Sequence, residues 1–402
     1  MEDNSAILII SLVILIYGHY SKLLLRYNIT GPMIFATIGI LLSPLGIDII
    51  EADLNAEIVQ ITAEIALIII LFSDAARLNL KKLRLEWSIP TRLLFIGLPL
   101  TILFATFMAE AIFPNEESIY LLLMALILAP TDAALGKAVV TDLNVPEKIR
   151  SSINVESGLN DGIVFPILIT VVAIITAGQG ATEENSWLAY VAQQIAFGAV
   201  IGGFIGYTSA MLSSRAINKN WIESGYKNLI PIALAILSYY LAEHFGGNGF
   251  IAAFFSGLFF GNYSEHLREN VKDFAESEGE LLILISFIIF GLAFIPATIA
   301  FWDFKVFLYA ALSLTILRMI PVAISLIGTK LDLATVLFIG WFGPRGIASI
   351  LYVLIVINSL HTIKGHETIY SVITVTILFS IILHGLSAQP LAKYYGESHK
   401  NI

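Results

Sequence analysis

A chain of 402 residues that is 57% hydrophobic and only 13% charged, with a mean hydropathy of +0.84, is not a water-soluble domain, which carries roughly 25% charged residues. The lack of cysteine excludes disulfides, thiolate metal sites and cysteine nucleophiles. The net charge of −9 says little about partners, because in a membrane chain the placement of charge matters more than its sum.

A membrane-spanning helix needs about 20 mostly apolar residues. Thirteen runs qualify, centred near Val13, Ile38, Leu67, Leu100, Leu126, Val164, Ala199, Ala235, Phe255, Ser286, Ser313, Phe342 and Leu378. The first follows MEDNSAILII, which has acids where a signal peptide has a basic region and no small-residue cleavage site, so it reads as a retained helix. With the N-terminus outside, 18 of the 22 Lys and Arg fall on the cytoplasmic side, among them Lys81, Lys82, Arg84, Lys148, Arg150, Arg215 and Lys219. Only Lys305 and Lys364 fall outside, and Arg318 and Arg345 lie within spans. This asymmetry orients the chain by the positive-inside rule, with a cytoplasmic C-terminus.

Thirteen spans suit two inverted six-helix repeats, about 6–175 and about 225–392, joined by a linking helix at about 187–214, within one transmembrane unit over 1–402. An internal echo agrees. FATIGILLSP from Phe35 resembles AFFSGLFFGN from Ala253, an offset of 218, and IIILFSDAARL from Ile68 sits against SFIIFGLAFIP at about the same offset. Two spans are interrupted. The fifth carries LAPTDAALG, with Pro130 and Asp132, and the twelfth carries WFGPRGIAS, with Pro344 and Arg345. Proline removes a helical hydrogen bond, and unwound backbone at membrane depth survives only where protein or a watery cavity surrounds it. An acid in one break and a base in the other could neutralise the partial charges of broken helix ends.

Between these breaks lies ESGLNDGIVFP, from Glu156 to Pro166. Charge at membrane depth is costly and therefore marks function or a pair. On a helix Glu156 and Asn160 share one face, and Ser157 and Asp161 the adjacent one. A hydroxyl beside a carboxylate offers hard oxygen ligands to an alkali cation, and a buried carboxylate exchanges its proton closer to neutral pH than an exposed one. Glu156 needs a partner if it stays ionised, and Arg318 in SLTILRMIP is the arginine available for a structural pair. Asp161 is then left to carry either a cation or a proton. Glu64 reads as a structural or interfacial acid, and Asp74 sits three residues before Arg77, at pairing distance on a helix.

LFSDAARLNL from Leu71, APTDAALG from Ala129, ESGLNDG from Glu156, Arg318 in its span and FGPRG from Phe342 together resemble the monovalent cation/proton antiporters. The matching branch is that of prokaryotic sodium/proton antiporters with an Asn-Asp pair, related to the animal sodium/proton exchangers. The resemblance runs across nearly the whole chain. It implies an all-α fold of about thirteen helices with two broken, crossing helices. It also implies a moving core domain, from spans near 65–175 and 278–392, with the remainder serving dimerisation in a homodimer. Asp161 then corresponds to the ion- and proton-binding aspartate and Asn160 to its companion. Thr131 and Ser157 correspond to oxygen ligands of the cation, and Asp132 to the acid at the crossing. Glu156 and Arg318 correspond to the buried pair, and Asp74 to an acid lining the cytoplasmic funnel. Members with Asn-Asp are typically electroneutral, exchanging one cation for one proton.

The expected activity is therefore exchange of Na+ (or Li+) for H+ by alternating access in a cell membrane. A potassium/proton antiporter is the alternative of the same fold. An intramembrane aspartyl protease using Asp132 and Asp161 is more distant, since the Gly-x-Gly-Asp signature is absent, and no filter repeat suggests a channel. Asp74 sits out of register with the commoner LFEAGL arrangement, and no long regulatory tail follows YYGESHKNI. No cofactor, nucleotide or nucleic acid is expected, and lipid is the expected surrounding. The histidines, including His244, His361 and His384, mostly fall near helix ends, where solvation is the expected state.

Overall fold

The computed structural model describes residues 2–50, 54, 57–81, 87–132, 135–178, 186–223, 226–263, 265–274, 279–360 and 365–399. Lys82, Arg84, His361 and Lys364 lie outside the described residues. Among those described, the regular structure is helical.

In chain order the helices are α1 (Glu2–Arg26), α2 (Gly31–Leu42), α3 (Glu57–Arg77), α4 (Ser88–Ile112), α5 (Ser118–Leu128) and the short α6 (Lys137–Thr141). Then come α7 (Glu147–Gly178), α8 (Ser186–Asn218), α9 (Leu229–His244), α10 (Gly249–Tyr263) and α11 (Glu265–Phe274). The last are α12 (Glu280–Phe301), α13 (Phe304–Leu314), α14 (Ile316–Ser325), α15 (Leu333–Trp341), α16 (Ile347–Leu360) and α17 (Glu367–Ser398). Among the described residues, eight helical stretches are long and apolar enough to cross a membrane, and five shorter helices are apolar. Twelve of the thirteen predicted centres fall on these helices, and the other, Phe342, falls in the break between α15 and α16. Outward-facing Phe107, Val200, Phe204 and Phe304, each more than 60% exposed, are side chains for hydrocarbon and not for water.

Proline shapes several helices. Pro99 and Pro296 each follow a π turn, Leu93–Gly97 in α4 and Phe290–Phe294 in α12. A widened turn absorbs the ladder position that a proline nitrogen cannot fill. Asp303 and Asp332 start α13 and α15 by accepting from the backbone N–H of Val306 (2.9 Å) and Thr335 (3.3 Å), the ordinary N-cap arrangement.

The chain divides into two compact units, the first from residues 1–60, 88–157 and 283–402, the second from 61–87 and 158–282. In the first, α2 packs on the π turn of α12, and α17 lies along α13 and α5. Its core includes Ile89, Val145, Ile149, Val322, Phe338, Ile339 and Ala392. In the second, α10 packs against α8 and α9. Gly202 and Gly206 of α8 stand over the backbone of Ala252 and Ser256 of α10, the small-residue packing by which membrane helices approach closely.

Two glycines in the echoing segments mark close approaches between helices. A Cβ on Gly39 of α2 would strike the backbone of α12 at Ile288, and one on Gly257 of α10 would strike the Phe72 carbonyl of α3. Gly39 and Gly257 are 218 residues apart, and Phe72 plus the same offset falls at Phe290, inside the stretch of α12 that Gly39 meets. Helix α2 thus approaches α12 closely, and α10 approaches α3 closely.

Candidate ion-binding site

In the first unit the two predicted breaks are both present. Helix α5 ends at Leu128 and α15 at Trp341, and neither Pro130–Asp132 nor Phe342–Gly346 is helical. The end of a helix leaves carbonyls without donors, and the start leaves N–H groups without acceptors. Arg345, 1% exposed, donates from Nη1 to the carbonyls of Ala129 (2.7 Å) and Pro130 (3.1 Å), just past the end of α5. Asp132, 6% exposed, accepts on Oδ2 from the N–H of Ile347, the first residue of α16 (2.7 Å). The Asp132 N–H donates to the Pro344 carbonyl (2.8 Å), and the Ser349 hydroxyl donates to the Ile127 carbonyl (2.7 Å). The base therefore sits at the negative end of one helix and the acid at the positive end of the other. Gly346 is required here, because a Cβ on it would collide with Asp132 Oδ2.

Beside the crossing, Glu156 and Arg318 form a two-point pair, Nη1–Oε1 at 3.0 Å and Nη2–Oε2 at 3.1 Å. Both residues are 3% exposed, and Arg318 Nε adds a bond to the Gly340 carbonyl (3.2 Å). A pair this deep is tolerable only because nearly every donor and acceptor is engaged. The Ser157 hydroxyl donates to the Thr131 carbonyl (2.7 Å), which brings two of the predicted oxygen ligands into contact.

Asn160 and Asp161, further along α7, belong to the second unit. Both are buried, at 1% and 4% exposure. Asp161 lines a small cavity whose other walls are Leu71, Gly162, Phe165, Pro166, Phe250, Ile251, Phe254 and Phe255. The aromatic walls are packed edge to face, with Phe165 on Phe250 at 5.1 Å and Phe250 on Tyr239 at 4.8 Å between centroids. Phe254 lies over Gly162, where a Cβ would run into its ring. Pro166 has no N–H to give to the Gly162 carbonyl, so that oxygen loses its helical donor beside Asp161. Asp74 is ion-paired with Arg77 near the end of α3, and Glu64 accepts a hydrogen bond from the Tyr239 hydroxyl, so its partner is a phenol and not a base.

Sequence reasoning passed over Pro166 as a source of an oxygen, Gly346 as a steric necessity, and the phenylalanine walls. Pro166 and Gly346 stand in the quoted motifs and could have been weighed. Nothing distinguishes Phe250 or Phe254 from the other phenylalanines, 25 in all.

Interrupted helices whose ends are neutralised by an acid and a base, inside a polytopic helical membrane protein, define the class of transporters built on discontinuous helices. Comparison with known proteins narrows the class. Residues 7–394 match the family described as sodium/hydrogen exchanger, transmembrane, and the chain belongs to that family. It is 25% identical to a K(+)/H(+) antiporter NhaP of Alkalimonas amylolytica over 393 residues, 97% of this chain and 67% of the relative. It is 26% identical to a Na(+)/H(+) antiporter NhaP of Pseudomonas aeruginosa, covering 99% of this chain and 98% of that one. The fold matches the solved structure of the sodium proton antiporter MjNhaP1 from Methanocaldococcus jannaschii with a TM-score of 0.80 at 20% identity, over 98% of this chain and 100% of that one.

Proposed function

We propose that the chain is a secondary active antiporter exchanging Na+ (or Li+) for H+ across a cell membrane by alternating access. Asp161 holds either the cation or the proton, never both, and the exchange is one for one and electroneutral. The observation that carries the reading is the burial of Asp161 in a cavity walled otherwise by apolar side chains. An ionisable group at membrane depth marks a functional site by default, and a proton or a small cation can each neutralise the carboxylate. Asn160 orients Asp161 without adding a second titrating charge. Ser157, the Thr131 carbonyl and Asp132 complete the oxygen set of the cation when Asp161 binds it. Glu156 and Arg318 hold the scaffold, and Asp74 lines the cytoplasmic funnel.

Several further assignments go with this reading. The Lys and Arg distribution supports an outside N-terminus and a cytoplasmic C-terminus. The offset shared by Gly39 and Gly257 supports two inverted repeats, about 6–175 and about 225–392, around a linking helix at about 187–214. Spans near 65–175 and 278–392 form the moving core, and the remainder joins two copies in a homodimer. The K(+)/H(+) antiporter among the relatives favours potassium as the second reading.

The test uses purified protein in liposomes with an acidic interior. Sodium, lithium or potassium is added outside and internal pH is followed, with and without an imposed voltage. Collapse of the gradient by sodium and not potassium, indifferent to voltage, is the expected result. Collapse by potassium alone selects the second reading. Exchange by Asp161→Asn at the native rate overturns both.

A further inference from the structure

Helix α17 holds the break between α15 and α16 at three points from one of its faces. Ser380, His384 and Ser387 stand at spacings of four and three, one stripe of a helix. The Trp341 indole N–H donates to the Ser387 hydroxyl (3.0 Å). The Arg345 backbone N–H donates to the Ser380 hydroxyl (2.6 Å). His384 lies between them, with Nε2 at 3.0 Å from the Trp341 carbonyl and Nδ1 at 3.2 Å from both the hydroxyl and the backbone carbonyl of Ser380. Its ring is packed at 5.0 Å from that of Trp341, and the residue is fully buried, not solvated as its place near a helix end suggests.

The proton positions follow from the partners. A carbonyl has no hydrogen, so Nε2 carries the proton and donates to Trp341. The Ser380 oxygen already accepts from Arg345, which leaves its own hydrogen for Nδ1. The chain of donors therefore runs from the Arg345 N–H to the Ser380 hydroxyl to His384 to the Trp341 carbonyl, a series that a neutral imidazole with its proton on Nε2 completes.

We infer that His384 is a positioning residue of the transport site: as a neutral imidazole it fixes the end of α15 at Trp341 and, through Ser380, the unwound stretch up to Arg345, so that Arg345 reaches the Ala129 and Pro130 carbonyls and holds the Thr131–Asp132 segment in place. The inference rests on the proposed function, since Thr131 and Asp132 matter to transport only if they complete the cation site. A hydrophobic replacement leaves the Trp341 carbonyl with the Gly343 N–H alone (2.8 Å) and takes the imidazole acceptor from the Ser380 hydroxyl, which keeps its bond from the Arg345 N–H. Glutamine can give one hydrogen bond and take another, as the imidazole does.

The experiment compares His384→Leu, His384→Gln and the native chain as purified full-length protein, matched for monodispersity. Amide hydrogen exchange over residues 341–346 is read first, because it does not depend on transport. Leu is expected to speed exchange there about tenfold, the effect of losing about one buried hydrogen bond, and Gln to leave it near native. In liposomes, Leu is expected to raise the sodium concentration for half-maximal exchange more than it lowers the maximal rate. Gln is expected to restore native affinity and an unchanged pH profile. A Gln variant as impaired as Leu overturns the inference, and so does a Leu variant with native exchange and affinity. A pH profile shifted by Gln also overturns it, because it makes the imidazole a titrating group. Asp161→Asn runs in parallel. If that variant transports like the native chain, the functional reading fails while the hydrogen-exchange result still judges His384.

Discussion

Arg345 and Asp132 each serve the helix broken by the other: Arg345, from the second break, closes the C-terminal end beyond α5, and Asp132, from the first break, closes the N-terminal end of α16. The exchange neutralises two helix ends with two side chains and leaves the crossing without net formal charge. The arginine is stringent because it serves two carbonyls from one nitrogen. Arg345→Met is expected to lower the melting temperature and abolish exchange, whereas Asp132→Asn, which keeps an oxygen for the Ile347 N–H, is expected to destabilise far less than Asp132→Leu. Thermal melting of the purified variants in detergent checks the order, and equal melting of Asn and Leu variants contradicts it.

The Glu156–Arg318 pair makes a different prediction. Removing one member leaves an uncompensated buried charge and costs about 3–5 kcal/mol, while replacing both with apolar residues is often nearly neutral. Glu156→Leu and Arg318→Leu are each expected to lose folded protein, and the double variant to recover much of it. A double variant no better than the worse single one shows that the pair does more than balance charge.

Pro166 bears on the cation itself. Pro166→Ala restores a donor for the Gly162 carbonyl and so withdraws an oxygen beside Asp161. The expected result is weaker apparent sodium affinity with helix α7 and thermal stability intact or improved. Unchanged affinity removes the carbonyl from the site.

At the far end of α17, His399 gives a hydrogen bond to Asp332 (3.1 Å), the N-cap of α15. The Asp332 bond, first, and the Tyr395 carbonyl hold the imidazole above its ordinary value of 6.5. The Thr335 side chain, first, and His399 hold the Asp332 carboxyl below its ordinary 3.8. A raised histidine stabilises the fold fully below its ordinary value and loses that contribution as pH rises through the folded one. A lowered carboxyl contributes above its ordinary value and fades as pH falls through the folded one. The tether is therefore strongest between about pH 4 and 6.5 and loosens toward alkaline pH. Hydrogen exchange at the start of α15 is expected to quicken between pH 6 and 9 in the native chain and to lose that extra pH dependence in His399→Ala, after correction for the intrinsic rate.

Much of this was legible because membrane burial makes a charged residue conspicuous. Glu156 and Arg318 stand out as charges in apolar runs, and Pro130, Pro344 and the glycines Gly343 and Gly346 mark the breaks directly. His384 was not legible. Its role depends on Ser380 and Trp341 arriving from one turn along its own helix and from another helix, and a single histidine near the end of a long apolar run looks the same whether it faces solvent or core. The cavity walls were illegible for a similar reason, since the choice among phenylalanines is made by packing and leaves no trace in spacing.

The packing of Gly39 and Gly257 also bears on how the protein is made. Gly291 follows Gly39 by 252 residues, and Gly257 follows Phe72 by 185. Helix α2 leaves the ribosome without the surface it is shaped to meet, and at roughly 5–20 residues per second it waits about 13–50 s for α12 to be synthesised. During that interval its exposed small-residue face has only lipid, or another nascent helix, to lie against. A bulkier residue at position 39 is therefore accommodated against lipid during that interval and is first felt when α12 arrives to dock.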